Sequence, residues 1–492
     1  MSRLSRDVAL NLAGLAFPVL IALVAIPLIL RGAGVERLGF LTIAWAAIGY
    51  LGFLDFGLSR AIARRIAAAR DADALATEAA LMFRFGRILF WAGVAFATLA
   101  YALVPAAWIF GGGSERLPAG ELGPAWGILL FTLPVILASN IWRGAMEGRL
   151  AFVPVNLYRV LLGMWTYGAP IVALLWTNSI AWLVAAVALG RWLSAWLHFR
   201  WCRRELAVAA SVPNKCGKDL IAALKDGAWM TVSNAVGPII VMADRFVISS
   251  LTGLAAAAVY SIPQEIALRM LLLPAAVSVS VFPRFAAGAA GDVARGADAL
   301  PERASRLTLG LMVPVSFVTI AIAPQLLQIW LGAEIAQGGA YVLQVFALSV
   351  LVNAPASIAF MLLQARGHAR WSAMLHLIEL PVTVVVLLAA VKFYGIDGAA
   401  WVWLGRTTFD TAAMFLLARR VDPHVVSRRL VLGLLLAAGS GLLLIGVAHA
   451  GVDLVLTLLL SFALVAVSLA IIFDTRDFAS LRTILQSAVR ER

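Results

Sequence analysis

Apolar runs of about 20 residues recur along the whole chain and limit its possible folds more than any other feature. Each run is long enough to cross about 30 Å of hydrocarbon as a helix. Hydrophobic residues make up 62% of the chain and charged residues 13%, which excludes a water-soluble protein. The pattern predicts an all-α integral membrane protein with about 14 transmembrane helices. The predicted spans are 9–30, 38–58, 87–110, 122–142, 151–175, 180–200, 227–249, 254–280, 307–331, 340–364, 370–391, 395–418, 428–448 and 452–473.

The chain also contains an internal repeat with a spacing of 219 residues. Gly and Pro punctuate helices at loop edges, and four such positions recur at this spacing. A further match, Leu-Gly-Arg, ends at Arg191 and at Arg406, a spacing of 215, which indicates a small deletion between the copies. The four pairs are Gly34 and Gly253, Pro105 and Pro324, Gly113 and Gly332, and Gly148 and Gly367.

The repeat predicts two lobes of six helices each. Six is an even number, so both copies enter the membrane in the same direction, as a parallel repeat. The first lobe spans 1–202, a polar cytoplasmic linker spans 203–226, and the second lobe spans 227–420. Two extra C-terminal helices and a cytoplasmic tail occupy 421–492. Two fused membrane lobes point to transport, because transporters commonly bind their substrate between such halves.

The net charge of +13 reflects membrane topology rather than nucleic-acid binding. Basic residues crowd the loops on one side of the predicted membrane, as at Arg203, Arg204, Lys215 and Lys218. By the positive-inside rule this side is cytoplasmic. We therefore expect both termini in the cytoplasm, a multi-pass protein of a bacterial inner membrane, and membrane lipid as a partner.

No pattern in the sequence indicates catalysis. A G-x-x-x-x-G-K-[ST] loop is missing, so ATP hydrolysis is unsupported. The five histidines form no triad or metal spacing, and Cys202 and Cys216 share one loop without further ligands. We expect no enzyme, no catalytic residue, no cofactor and no metal site. The alanine-rich segment Ala61–Phe85 predicts a surface-lying amphipathic helix.

Charged residues inside the predicted spans are the main candidates for function. A charge near the bilayer centre costs roughly 2.5–3.5 kcal/mol, so such a residue faces a partner or a wet cavity. Two pairs have the spacing that brings side chains together on one helix face, Glu265 with Arg269 and Arg406 with Asp410. For these pairs, a structural ion pair and a functional site both remain open.

Two further charged clusters have no copy in the other half of the repeat. Asp55, Arg60 and Arg64 close helix 2, and Asp244 and Arg245 lie late in helix 7. Symmetry of the fold would not require such charges in one lobe only, which favours a functional role.

The stretch Tyr50-Leu-Gly-Phe-Leu-Asp-Phe-Gly-Leu-Ser-Arg-Ala-Ile-Ala-Arg64 resembles the polysaccharide-export branch of the multidrug/oligosaccharidyl-lipid/polysaccharide flippase superfamily. Asn11 and Gly14 in the opening helix agree with this resemblance. So do Asp244-Arg245 followed by Gly253 and Tyr260, and Phe282-Pro283-Arg-Phe. The resemblance spans nearly the whole length, including both lobes and the two extra helices.

The resemblance implies a V-shaped cavity between two bundles that opens alternately to each side. Members of this branch move polyprenyl-diphosphate-linked oligosaccharides to the outer leaflet for cell-surface polysaccharide synthesis. The resemblance also implies other glycan-assembly membrane proteins as partners. Arginine suits a diphosphate because its planar fork matches phosphate oxygens. The predicted substrate-binding residues are Arg60, Arg64, Arg245 and Arg269, with Asp55, Asp244, Glu265, Arg406 and Asp410 as supporting charge partners.

Three alternatives stay open. An ion-coupled multidrug exporter of the same superfamily would keep a carboxylate in the first helix, and Ala9–Leu30 has none. A membrane sugar polymerase or ligase would need a large outward loop, and the sequence has none. A major-facilitator transporter would have a charged motif between helices 2 and 3, and the sequence lacks this motif as well.

Overall fold

Helices make up the regular structure of the computed structural model, which describes residues 18, 20–50, 58–69, 71–110, 119–206, 242–289 and 300–473. Within these ranges there is no strand, and one 3-10 turn lies at Pro423–Val425. In chain order the helices are α1 (Leu20–Ala33), α2 (Val35–Tyr50), α3 (Leu58–Ala68), α4 (Ala72–Leu103), α5 (Ala106–Phe110), α6 (Ala119–Gly148), α7 (Phe152–Ala173), α8 (Ile180–Glu205), α9 (242–252), α10 (Leu254–Met270), α11 (Leu272–Ala289), α12 (Leu300–Leu331), α13 (Ala333–Asn353), α14 (Ala356–Ala365), α15 (Ala369–Arg419), α16 (Arg428–His449) and α17 (Leu454–Ile472).

Many of these helices have the length and composition of membrane spans. In the described residues, nine helical segments are long and apolar enough to cross a bilayer. One of them, α15, has 51 residues in two arms that meet at Gly395, and their summed length of about 76 Å at 1.5 Å per residue is enough for two crossings. The predicted all-α membrane fold is confirmed. The predicted total of about 14 spans includes residues outside the described ranges and stays a prediction.

Glycines at matching places of the repeat make matching turns. Gly34 separates α1 from α2 with φ +86°, and Gly253 separates α9 from α10 with φ +95°. Residues with a Cβ atom rarely adopt this left-handed backbone conformation. Glycine has no Cβ atom and therefore occupies both positions. The pair predicted from the 219-residue spacing therefore has one backbone conformation as well as one sequence position.

The chain divides into two compact units, Met1–Ser261 (unit 1) and Ile262–Arg492 (unit 2). The division cuts α10 after Ser261, near its middle, and leaves α9 in unit 1. The repeat instead predicts a second lobe that begins at residue 227. The repeat-based boundaries at 202, 226 and 420 describe sequence copies and stay a prediction.

In unit 1, a small amphipathic helix packs closely on a long apolar one. A side chain at Gly144 or Gly148 of α6 would meet the backbone of Ser59 or Ala63 in α3. These glycines form a G-x-x-x-G pattern, which lets helix backbones approach. The predicted single surface helix over Ala61–Phe85 is wrong: α3 ends at Ala68, and Asp71 accepts a hydrogen bond from Ala74 N and caps the long helix α4.

In unit 2, the two extra helices α16 and α17 pack on α12 and are tied to it by polar contacts. Arg306 of α12 forms an ion pair with Glu302 at 2.8 Å and donates to the Ile472 carbonyl at the end of α17 at 3.0 Å. Ser427, the N-cap of α16, donates to Glu302 at 2.6 Å. One buried arginine and one carboxylate thus hold three helices together.

Candidate functional site

The longest helix, α15, folds back at Gly395 and brings two charged stretches face to face. Gly395 has φ 59° and ψ −141°, a conformation open to glycine. The first arm (369–394) carries His376 and Glu379, and the second arm (396–419) carries Arg406 and Asp410. Glu379 stands 16 residues before Gly395 and Asp410 stands 15 after it. Both therefore lie about 23 Å from the fold.

These four side chains, with Asn353 at the end of α13, form what we call the acid–histidine cluster. His376 Nε2 lies 3.5 Å from Asp410 Oδ1, and Arg406 Nη1 lies 3.9 Å from Glu379 Oε2. Asn353 donates from Nδ2 to Asp410 Oδ2 at 3.0 Å. Arg406 and Asp410 thus each face a partner from the opposite arm rather than only each other.

The acid–histidine cluster leaves several acceptor atoms without a hydrogen bond. Glu379 is only 3% exposed, and neither of its carboxylate oxygens has a hydrogen-bond partner. Ligand atoms of His376, Glu379 and Asp410 lie within 4.8 Å of one another, so these residues could hold a metal ion. With His376 neutral, two carboxylates and one guanidinium carry a net charge of −1. A proton or one monovalent cation would balance this charge better than a divalent ion would.

A groove runs beside each of the two long helix pairs. In unit 2 a cavity of about 1090 Å³ lies along α15, with Glu379 and Arg406 among its lining and Asp397 and His449 nearer the Gly395 fold. In unit 1 a cavity of about 920 Å³ lies between α7 and α8 and is lined by apolar and small residues. Five lining positions correspond at a constant spacing of 218: Leu161 and Glu379, Met164 and Val382, Gly168 and Val386, Val172 and Ala390, and Trp176 and Tyr394.

Unit 1 has a concentration of positive charge on three neighbouring helices, which we call the arginine group: Arg143 of α6, Arg159 of α7 and Arg191 of α8. Arg143 is near enough for its charge to repel those of Arg159 and Arg191. Glu147 forms an ion pair with Arg143 at 3.7 Å, and Arg159 has a further interaction of its own.

Two polar side chains lie on the same helices as the arginine group. Asn156, one turn before Arg159, is 4% exposed, and neither its Oδ1 nor its Nδ2 has a hydrogen-bond partner. His198 of α8 is buried, and its Nδ1 lies 3.1 Å from Ser139 Oγ. A buried amide without a partner is costly in a structure, and such groups commonly meet a ligand or water.

The predicted pair Asp244–Arg245 is buried inside unit 1. Arg245 is 1% exposed and donates from Nη1 to the Thr42 carbonyl of α2 at 3.3 Å. Asp244 accepts a hydrogen bond from the Tyr260 hydroxyl of α10 at 2.8 Å. These contacts join α2, α9 and α10 around the Gly253 turn. A binding role for Arg245 remains a prediction that would have to coexist with this structural role.

Two of the other predicted binding residues, Arg269 and Arg64, lie on α10 and α3. Arg269 is 46% exposed on α10 and forms the predicted pair with Glu265 at 3.5 Å. Arg64 is exposed on α3, the helix that also contains Arg60. Asp55 lies outside the described residues. Their roles in substrate binding stay predictions.

His376, Glu379 and Asn353 were not among the predicted site residues, and neither were Arg143 and Asn156. His376 and Glu379 share one face of a helix at i, i+3, a signal that could have paired them. The expectation of no metal site rested on the spacing of the histidines along the sequence. Asp410 lies 34 positions after His376, and the two meet only because α15 folds back at Gly395.

Comparison with known proteins identifies the family of this chain. A profile described as polysaccharide biosynthesis protein matches residues 4–288, more than half of the chain. The chain belongs to this polysaccharide biosynthesis family. It is also 28% identical over 413 residues to the "Putative O-antigen transporter" of Shigella flexneri, covering 84% of this chain and 96% of the relative. The resemblance to the flippase superfamily is confirmed, and the protein is a membrane transporter rather than an enzyme.

Solved structures share the fold at low sequence identity. The lipid II flippase MurJ, in an inward closed conformation, superimposes with a TM-score of 0.72 at 13% identity, covering 96% of this chain and 100% of that one. An inward-facing multidrug resistance MATE transporter of the MOP superfamily gives a TM-score of 0.65 at 17% identity, covering 84% and 98%. At these identities the likeness establishes the fold.

Proposed function

We propose that this polysaccharide biosynthesis family member moves a polyprenyl-diphosphate-linked oligosaccharide from the cytoplasmic to the outer leaflet by alternating access, for cell-surface polysaccharide synthesis. The observation that carries this proposal is the alignment to the Shigella flexneri O-antigen transporter, which spans nearly all of that relative. A fold shared with a lipid II flippase supports the same substrate class.

Membrane-embedded charge supports a substrate with a charged, hydrated headgroup. A sugar carries many hydroxyls and a diphosphate carries negative charge, and removing water from such groups costs several kcal/mol each. Arg143, Arg159 and Arg191 place positive charge within helices of unit 1, where a diphosphate would otherwise find hydrocarbon. The polyprenyl tail needs no such shelter because it stays in the bilayer.

Orientation follows from the distribution of basic residues. Basic residues lie at the ends of α6 and α8, at Arg149, Arg203 and Arg204, and at the start of α16, at Arg428 and Arg429. The positive-inside rule puts these ends in the cytoplasm of a bacterial inner membrane, with both chain termini on the same side. The headgroup would then enter from the side where α6 joins α7.

The test is a flipping assay with purified protein in lipid vesicles. A fluorescent polyprenyl-diphosphate sugar is loaded in both leaflets, and a membrane-impermeant quencher reports the fraction that becomes accessible with time. We expect exchange between leaflets to be at least tenfold faster than in protein-free vesicles. Exchange as slow as in protein-free vesicles, with a protein that is monodisperse and thermally stable, would refute the proposal.

A further inference from the structure

The two glycine turns at Gly34 and Gly253 match in their hydrogen bonds as well as in their backbone angles. The amide of Gly34 donates to the Leu30 carbonyl at 3.0 Å, and the amide of Gly253 donates to the Ser249 carbonyl at 3.2 Å. The next hydrogen bond along each chain also matches, at 3.1 Å at the start of α2 and 3.2 Å at the start of α10. The two turns are therefore copies of one local structure.

The helices that follow these turns meet at equivalent residues. Gly39 stands five residues after Gly34, and Ala258 stands five residues after Gly253. A Cβ atom at Gly39 would overlap the Leu254 carbonyl oxygen and would lie 3.4 Å from the Ala258 backbone nitrogen. Contact between a residue and its own equivalent is what a two-fold axis produces, as in a symmetric dimer interface. Gly39 and Ala258 therefore lie beside a local two-fold axis between α2 and the start of α10.

The contact between α2 and the start of α10 is buried and includes a charged side chain. Leu38 is fully buried, and Leu254 is 1% exposed. The Arg245 guanidinium donates from Nη1 to the Thr42 carbonyl at 3.3 Å, and Thr42 Oγ1 in turn donates to the Gly39 carbonyl at 2.8 Å. The closure thus combines packed apolar side chains with an arginine bound to a backbone carbonyl.

An ion pair shows which end of the helices this contact occupies. Glu121, in the first turn of α6, lies 3.5 Å from the Arg37 guanidinium of α2. The same carboxylate accepts a hydrogen bond at 2.8 Å from the Ile180 amide at the start of α8. The turn at Gly34 therefore lies level with the starts of α6 and α8, whose far ends carry the basic residues named above. In the proposed orientation those basic ends are cytoplasmic, so the contact between α2 and α10 faces outward.

The ion pair also makes α2 the anchored side of the contact. Glu121 ties α2 to α6 and α8, whereas the repeat has alanine at both equivalent positions, Ala256 for Arg37 and Ala340 for Glu121. The start of α10 thus lacks the equivalent ion pair. Opening of this end would therefore separate α10 from α2 and leave α2 on its own bundle.

We propose that Gly39 is a positioning residue for transport: it lets α2 close on the start of α10, and this closure seals the outer end of the transport path. This inference rests on the alternating-access part of the proposed function, which requires the outer end to open and close in every cycle. Gly39 acts through α10 and contacts no substrate. A methyl group at this position would overlap the Leu254 backbone, so glycine permits the full closure.

The first test compares one substitution at two glycines of α2. Gly39→Ala puts a methyl group into the contact, whereas Gly49→Ala is the matched control, because a Cβ added there has nothing within 4 Å. Overpacking of the closed state should shift the balance toward the open state about tenfold. In the flipping assay we expect Gly39→Ala to slow exchange several-fold and Gly49→Ala to leave it unchanged.

Cysteine labelling reports the opening itself. Leu38→Cys places a thiol in the buried contact of a full-length protein whose Cys202 and Cys216 are replaced by serine. The protein is held in lipid nanodiscs and treated with a water-soluble maleimide. We expect slow labelling when Gly39 is present and about tenfold faster labelling with Gly39→Ala. Equally slow labelling together with equally fast flipping by the two proteins would overturn the proposal.

The effect of substrate on labelling separates a gate from a permanent contact. In a protein that keeps Gly39 and flips the probe, adding the fluorescent polyprenyl-diphosphate sugar should raise labelling of Leu38→Cys several-fold. Labelling that stays slow while the probe is flipped would mean that the contact never opens, and it would overturn the proposal. This measurement does not use Gly39→Ala, so it decides the question even if that variant does not fold. A lower thermal midpoint of Gly39→Ala, with labelling as slow as in its parent, would assign Gly39 a purely structural role and overturn the proposal as well.

The two assays together distinguish this proposal from the proposed function. If Gly39→Ala accelerates labelling but wild type moves no lipid-linked sugar, the outer closure stands and the flippase function falls. If wild type flips the probe and Gly39→Ala flips it equally fast, the function stands and the role of Gly39 falls.

Discussion

At the scale of single residues, Arg406 supplies the positive charge that faces the buried Glu379 carboxylate. It faces Glu379 at 3.9 Å, and its guanidinium lies 4.7 Å from the centre of the Trp403 ring. Removing one partner of a buried ion pair typically costs about 3–5 kcal/mol, because the other charge is left buried. We predict that Arg406→Gln lowers the thermal unfolding midpoint in detergent by several degrees.

A double variant distinguishes this cause from lost packing. Glu379→Gln in the Arg406→Gln background removes the stranded carboxylate and should recover most of the lost stability, measured by the same thermal melt. The two substitutions would then be strongly non-additive, as expected for residues in one charge network. A double variant no more stable than Arg406→Gln would mean that the guanidinium acts through its packing on Trp403 instead.

At the scale of helices, α6 carries a close contact that depends on the absence of a side chain. A Cβ at Gly144 would lie 2.9 Å from the Ser59 Cα of α3, so the helices would have to separate. Overpacking of this kind costs about 1–3 kcal/mol. We predict that Gly144→Ala lowers the thermal midpoint, and that limited proteolysis cleaves the variant faster around α3.

The same helix provides the matched control. Gly123 has nothing within 4 Å of an added Cβ, so Gly123→Ala meets open space. Because alanine favours a helix over glycine by about 1 kcal/mol, this change should leave stability unchanged or raise it. Opposite effects of one substitution at two glycines of α6 would establish the close approach to α3. Equal effects would contradict it.

At the scale of the whole molecule, the sequence predicts the membrane-spanning helices and two of their glycine turns better than it predicts the charged sites. Span positions follow from apolar length, and the turns at Gly34 and Gly253 follow from a residue type that the backbone requires. These features are determined by residues that are close together in the sequence. They can therefore be predicted without knowing how the helices pack.

The partners of charged residues depend on packing and were harder to predict. His376 and Asp410 are 34 positions apart and meet because α15 folds at Gly395, so a shift of one residue in the fold would turn their faces by about 100°. The arginine group draws on three helices, and no spacing in the sequence fixes which of their faces meet. The i, i+4 rule correctly paired Glu265 with Arg269, where one helix decides the geometry.

Transport of a charged headgroup should also depend on the membrane potential, which acts on the whole molecule. A diphosphate-linked headgroup carries about two negative charges, and each is worth about 2.3 kcal/mol per 100 mV. Outward movement across a membrane that is negative inside would thus be favoured by roughly 4–5 kcal/mol at 100 mV if no counter-ion moves with the headgroup. We predict that flipping in vesicles accelerates when valinomycin and a potassium gradient make the starting side of the headgroup negative.

The controls isolate the potential from chemical gradients. Sodium concentration and pH are held equal on both sides, and protein-free vesicles under the same potential report leakage of the probe. Reversing the potassium gradient should slow the same movement, because the field then opposes the two charges. Rates that ignore the sign of the potential would show that a co-moving cation neutralises the headgroup. The acid–histidine cluster, in which the Glu379 oxygens have no hydrogen-bond partner, would then be the first place to look for that cation.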